Sequence, residues 1–208
     1  MAYTVESVKK LLGIITGEMI AAKDELTAID SKLGDGDMGA SMEKGALALQ
    51  KSLEGDASDI SSLLSQGAVV FNRAAPSTMG TLLSFALQEI AKYCKENPEL
   101  SAENVVHIPQ IAVDIIAKRG KAKEGDKTIL DALIPFASAL EQTFRETGDL
   151  KAALHKASDA AAAGMESTKG MIAKTGRAKW LADRNKECPD GGAVMCTRIA
   201  LQLVKQFG

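Results

Sequence analysis

Apolar residues recur at helical spacing along almost the whole chain. Val5, Val8, Leu11, Leu12, Ile15 and Met19 mark one face of a first segment, and Met42, Ala46 and Leu49 mark a second over 39–53. A third carries Leu63, Leu64, Val69 and Val70, with Asp59 or Ser61 placed to cap its start. Segments 80–95, 101–118, 127–147, 149–167 and 190–207 repeat the pattern; the last shows Val194, Met195, Ile199, Leu203 and Val204 on one side. Pro76, Pro98 and Pro189 fall between periodic segments, where helices break. Pro109 and Pro135 do not, and each is expected in a first turn or at a kink. No internal repeat and no alternation of strand and helix interrupts the pattern. The expectation is an all-α chain, an antiparallel bundle of about eight helices forming one domain over 1–208.

Composition supports that class. Of 208 residues, 46% are hydrophobic but only 4% aromatic, so Ala, Leu, Ile, Val and Met must fill the core. Ala and unbranched side chains lose little freedom in a helix, which favours helices over sheet. A formal net charge of -2 offers no basic field for nucleic acid. No segment reaches the roughly 20 apolar residues of a membrane span. Cys94, Cys188 and Cys196 show no metal-ligand spacing, and an odd cysteine count without a signal peptide is expected of a cytoplasmic protein.

Three interruptions, 29–39, 74–80 and 169–192, are richer in glycine and polar groups than a bundle needs; a fourth, 118–128, is basic at its start. The first holds Asp30, Asp35 and Asp37 with Gly34, Gly36 and Gly39 between them. Carboxylates are the hard ligands that magnesium and calcium prefer, and glycines let alternate aspartates turn toward one centre. Three carboxylates this close repel one another unless a cation or strong donors offset their charge. An EF-hand is excluded by counting from Asp35, because the fifth and twelfth places hold Gly39 and Ala46. A plain Asp/Gly turn is the other reading of these residues. No Walker A frame occurs, since Gly120-Lys121 is followed by Ala122. His107 and His155 have no acidic or serine neighbour in sequence and read as structural, as does Trp180, the only tryptophan.

Four strings in order carry a family resemblance. The segment 30–41 resembles the aspartate loop of the L subunit, the nucleotide-binding subunit, of dihydroxyacetone kinases. Gly125-Asp126-Lys127-Thr128-Ile129-Leu130-Asp131-Ala132-Leu133 resembles that family's GDKTxLDAL string. Gly176-Arg177-Ala178-Lys179-Trp180-Leu181 is similar to its GRASYL string, and Asp190-Gly191-Gly192-Ala193 stands where it has Asp-Pro-Gly-Ala. The resemblance covers essentially the whole chain. It implies a barrel of antiparallel helices, in number eight, with ADP or ATP and two magnesium ions at one end. Asp30, Asp35 and Asp37 would then hold both ions against the phosphates and serve as the catalytic residues. Met38, Gly39, Ala40 and Ser41, opening a helix, would offer backbone N–H groups to phosphate. Thr78 and Met79 would approach the nucleotide, Gly120 and Ile129 would flank the adenine, Arg177 would reach the phosphates, and Asp190, Gly191 and Gly192 would close over them.

The chain departs from the family pattern in places. Met38 replaces a His or Thr, Pro76-Ser77-Thr78-Met79 replaces a glycine-rich run, and Asn185 and Cys188 replace a Ser and a His. The resemblance implies a kinase subunit, inactive alone, that transfers a phosphoryl group to a short ketose held on a separate K subunit. The donor is ATP or an ADP recharged by a phosphotransferase-system phosphocarrier, and a homodimer is a further assembly. The alternatives are a kinase subunit for a four-carbon ketose or a fatty acid, and a non-enzymatic nucleotide-binding module.

Overall fold

A computed structural model describes residues 3–175 and 186–208. Those residues contain nine helices and no strand. They are α1 (Val5–Ala21), α2 (Lys23–Leu33), α3 (Met38–Leu53), α4 (Ile60–Ala74), α5 (Thr78–Glu96), α6 (Ala102–Gly120), α7 (Leu130–Thr147), α8 (Leu150–Ser167) and α9 (Gly191–Phe207). The helix beyond the expected eight is α2, which runs on from α1 after a one-residue break at Ala22. Both α1 and α2 pack on α3 and on α9, and every other helix packs on the next in sequence. Counted as one bent stave, α1 and α2 close a ring of eight, an all-α arrangement as the periodicity predicts and a barrel as the family resemblance implies.

Polar residues at the segment ends set the boundaries. Thr4 and Ser101 start α1 and α6 with reciprocal caps to Ser7 and Asn104, while Asp59, Ser77, Asp149 and Asp190 cap α4, α5, α8 and α9. Asp59, rather than Ser61, is the α4 cap. Pro109 and Pro135 lie inside α6 and α7, not in their first turns. Pro135 removes the N–H that would bond the Asp131 carbonyl. Gly164 of α8 packs onto that carbonyl so closely that an added Cβ would collide with it, which lets the two backbones touch.

The largest core cluster unites buried residues of all the staves, including Leu26, Met42, Phe71, Ile116, Leu130 and Met195. A smaller cluster of Leu12, Ile60, Leu63, Leu64, Ala91, Cys94 and Leu100 fills the end where α1 and α4 begin. No helix among the described residues is long and apolar enough to cross a membrane.

Candidate functional site

Asp30 lies in the last turn of α2, not in a loop as the glycine spacing suggested. After Leu33 the chain turns through Gly36, whose φ of 76° suits a residue without Cβ, and presents Asp35 and Asp37. One carboxylate oxygen from each of Asp30, Asp35 and Asp37 lies within 4.8 Å of the others. Asp35 and Asp37 are exposed and Asp30 is half-buried, so a small cation can reach the cluster from solvent. Asp30 Oδ2 also accepts the Met38 N–H at 3.1 Å, which ties α2 to the start of α3.

The cluster sits at a cleft in one end of the barrel, lined by Ile29, Met38, Thr78, Met79, Gly120, Ile129, Asp190 and Gly191 among others. Met38, Thr78, Leu130 and Gly191 are the first residues of α3, α5, α7 and α9, and all four border the cleft. Each helix start brings the positive end of its dipole, so the alternate staves point four such ends at one space, although N–H groups such as those of Met38, Gly80, Leu130 and Ala193 are already bonded within the protein. The cleft therefore pairs a field that favours anions with three carboxylates that repel them. A divalent cation between the two would reconcile that opposition.

Away from the carboxylates the wall turns apolar, through Met79, Leu82, Ile116, Ala122 and Ile129. The turn before α7 is fixed by Asp131, buried at 2% exposure, which accepts the N–H groups of Gly125 at 2.6 Å and Thr128 at 2.7 Å. Lys127, 3% exposed, donates from Nζ to the carbonyls of Cys188 at 2.7 Å and Met171 at 3.2 Å. Burial lowers its pKa, partly offset by the nearby Asp190 and Cys188. Asp190 Oδ1 caps α9 by accepting the Ala193 N–H at 2.8 Å. Asp190 keeps some accessible surface along the cleft, but its carboxyl group is packed closely enough that burial pushes its pKa up to about 7. Hydrogen bonds from the start of α9 and the charge of Lys127 pull the other way, and Asp131 reinforces the rise.

Most residues expected at the site meet there. Gly39, Ala40, Ser41 and Gly192 are not among the residues that line the cleft. The Ser41 N–H is spent within α3 on the Asp37 carbonyl at 2.9 Å. Gly39 is buried where α3 crosses α2: an added Cβ would collide with the Lys23 carbonyl and Thr27 Oγ1. Arg177 and the rest of its string lie outside the described residues, as do Trp180 and Asn185. His107 is remote from the cleft, although it does have an acidic neighbour, Glu141 of α7 at 4.0 Å. The expected set omitted Ser77, Leu82, Ile116, Lys127 and Thr128, which also border the cleft. For Lys127 and Thr128 the signal was present in the 125–133 string.

An all-α barrel with an acidic metal-type cluster and converging helix starts at one end defines a class. The chain belongs to the DAK2 domain family, whose model matches residues 32–205. It is 32% identical over 185 residues to the L-erythrulose kinase of Pectobacterium atrosepticum, covering 87% of this chain and 31% of that protein. With the putative 3,4-dihydroxy-2-butanone kinase of Solanum lycopersicum it shares 33% identity over 198 residues, covering 91% and 33%. The chain thus spans about a third of the length of these relatives. Identity to the ADP-binding subunit DhaL of the PEP-dependent dihydroxyacetone kinase of Escherichia coli is 28% over 179 residues, covering 85% of each chain. The dihydroxyacetone kinase of C. freundii, solved with AMP-PNP and Mg2+, superposes with a TM-score of 0.75 at 22% identity, covering 99% of this chain and 35% of that one. That likeness establishes the shared fold.

Proposed function

We propose that this chain is the nucleotide-binding part of a dihydroxyacetone-type kinase, which holds ADP or ATP with magnesium and delivers a phosphoryl group to a short ketose on a separate K-type subunit. The observation that carries this reading is the pairing of three carboxylates, their oxygens within 4.8 Å, with four helix starts around one cleft. Carboxylate oxygens are the donor set magnesium prefers, and the helix starts suit a polyphosphate. Two magnesium ions held by Asp30, Asp35 and Asp37 would neutralise the charge that develops during phosphoryl transfer.

The chain's own residues orient the nucleotide. Asp30, Asp35 and Asp37 fix the polyphosphate end, and Thr78, Met79 and the Met38 turn stand along it. The adenine lies in the apolar stretch between Gly120 and Ile129. By the family resemblance Arg177 would contact the phosphates, and Asp190 to Gly192 close the far side. Because Met38 brings a thioether where the family has His or Thr, the dipoles of the helix starts carry more of the phosphate recognition.

In this reading the acceptor is chosen by the partner, and the cleft itself needs no ketose-binding group. A four-carbon ketose stands beside dihydroxyacetone as the acceptor, since relatives at 30–33% identity include kinases named for L-erythrulose, D-erythrulose and 3,4-dihydroxy-2-butanone as well as for dihydroxyacetone. The free cysteines fit a reducing cytoplasm. The deciding experiment is calorimetry with ADP and ATP, with and without magnesium, followed by assay with a K-type subunit and either ATP or a phosphocarrier as donor. Magnesium-dependent binding and phosphorylation of a short ketose are expected. ADP retained through purification would favour the phosphocarrier route. Binding without transfer to any ketose would point to a regulatory module or to another acceptor, such as a fatty acid.

A further inference from the structure

Lys127 carries two costs that a surface lysine avoids. It is almost fully buried although it bears an ammonium group, and its backbone is left-handed, with φ 59°. Taking a cation out of water is unfavourable without close partners, and a left-handed conformation is strained for a residue with a Cβ. Its Nζ donates to two backbone carbonyls, those of Met171 and Cys188, 44 and 61 residues downstream.

Those two carbonyls belong to the two ends of the long connection between α8 and α9. The same ends meet where the Gly170 N–H donates to the Lys186 carbonyl at 2.5 Å. Lys174 adds a further tie, donating its N–H to the Asp126 carbonyl at 3.2 Å and its Nζ to the Gly125 carbonyl at 2.9 Å. Asp190, the cap of α9, follows Cys188 by two residues. Cys188 is thus one anchor of the start of α9, beside the Asp190 N–H, which donates to Thr168 Oγ1 at 2.9 Å.

We propose that Lys127 is a positioning residue: it staples Met171 and Cys188 to the turn ahead of α7, and so sets where Asp190 and the first turn of α9 stand against the polyphosphate. The last clause rests on the nucleotide reading; the staple does not. Without the ammonium group, two carbonyls lose a charged donor and the 186–190 segment loses its tie to α7. The acidic cluster, built on α2 and α3, is untouched.

Cys188 is a built-in reporter, because it is half-buried while Cys94 and Cys196 are buried. In Lys127→Met, labelling of Cys188 by a small thiol reagent without nucleotide is expected to speed up about tenfold, as local opening becomes easier. Affinity for ADP with magnesium should fall about tenfold, while Mn2+ binding without nucleotide stays within about twofold of the parent. Lys127→Arg, which keeps the charge and the donors, should restore slow labelling and nucleotide affinity. If Lys127→Met does not fold by circular dichroism, Lys127→Gln, too short to span both carbonyls, takes its place with the same readouts. Unchanged labelling in the apolar variant, or equally fast labelling in Lys127→Arg, overturns the staple. Faster labelling with unchanged nucleotide affinity overturns the positioning role. A parent protein that binds no ADP with magnesium sinks the nucleotide reading, and it overturns the polyphosphate clause with it, while the labelling rates still decide the staple.

Discussion

The Asp30 carboxylate accepts the Met38 N–H at 3.1 Å, so one member of the acidic cluster also joins α2 to α3. Asp30 thus carries a structural bond in addition to any ligand role. Asp35→Asn and Asp37→Asn are each expected to abolish the magnesium-dependent thermal stabilisation by ADP, because a ligand that binds only the native state raises its stability. Asp30→Asn should do the same and also lower the melting temperature of the ligand-free protein, by the few degrees that about 1–2 kcal/mol represents at this size. Thermal melts with ADP, with and without magnesium, read both effects. Stabilisation that survives in the Asp35 and Asp37 variants would count against the metal site.

The sequence made the helical ring legible because its core is repetitive: the staves show an apolar face at helical spacing, and all but α3 and α7 start on a polar cap. What escaped was α2. Its stretch KDELTAIDSKL buries chiefly Leu26, and its break from α1 falls at Ala22, where neither Gly nor Pro marks it. The aspartates were found because three in eight residues is a local signal. The convergence of four helix starts is not local, since it follows from closing the ring. Lys127 was visible only as part of a string, because its partners lie far along the chain. Gly39 looked like a phosphate residue, yet its physical constraint is the Lys23 carbonyl.

That constraint predicts a contrast between two glycines. Gly39→Ala would push a methyl group into the Lys23 carbonyl and Thr27, backbone that cannot yield cheaply. The expected cost is about 1–3 kcal/mol, and magnesium affinity should fall with it, since the α2–α3 crossing sets Asp30 against Asp37. Gly17 in α1 has nothing within 4 Å of the added methyl position. Gly17→Ala should therefore stabilise the protein by up to about 1 kcal/mol, through helix propensity and a less flexible unfolded chain. Urea denaturation of the two variants should move in opposite directions.

Arg198 of α9 clasps the bend between α1 and α2. Its Nε donates to Glu18 at 2.7 Å and its Nη1 to Glu25 at 2.5 Å, one acid on each side of Ala22. The Glu18 side chain is 16% exposed and Glu25 47%, so solvent screens the second pair more. Arg198→Met is expected to cost about 1 kcal/mol. Glu18→Gln should cost more than Glu25→Gln, and added salt should shrink the Glu25 effect first. Double-mutant cycles at two salt concentrations test the ranking; equal coupling for both acids at low salt would contradict it.

Asp190 gives the protein a pH dependence of definite sign. Burial raises its native-state pKa from the ordinary carboxylate value to about 7, with Asp131 adding to the rise and Lys127 opposing it. Between those two values the native state binds more protons at this group than the unfolded state does. Its contribution is therefore fully present below the ordinary carboxylate range and is lost as pH rises through about 7. Asn caps a helix about as well as Asp and cannot ionise, so Asp190→Asn keeps the α9 cap while removing the titration. From about pH 5 to about pH 8 the parent should lose stability relative to Asp190→Asn, as followed by urea unfolding at each pH. Above pH 7 the ionised carboxylate should also repel a polyphosphate, so affinity for ADP with magnesium should fall in the parent and stay level in the variant. Parallel stability curves for the two proteins would show that Asp190 does not titrate in this range.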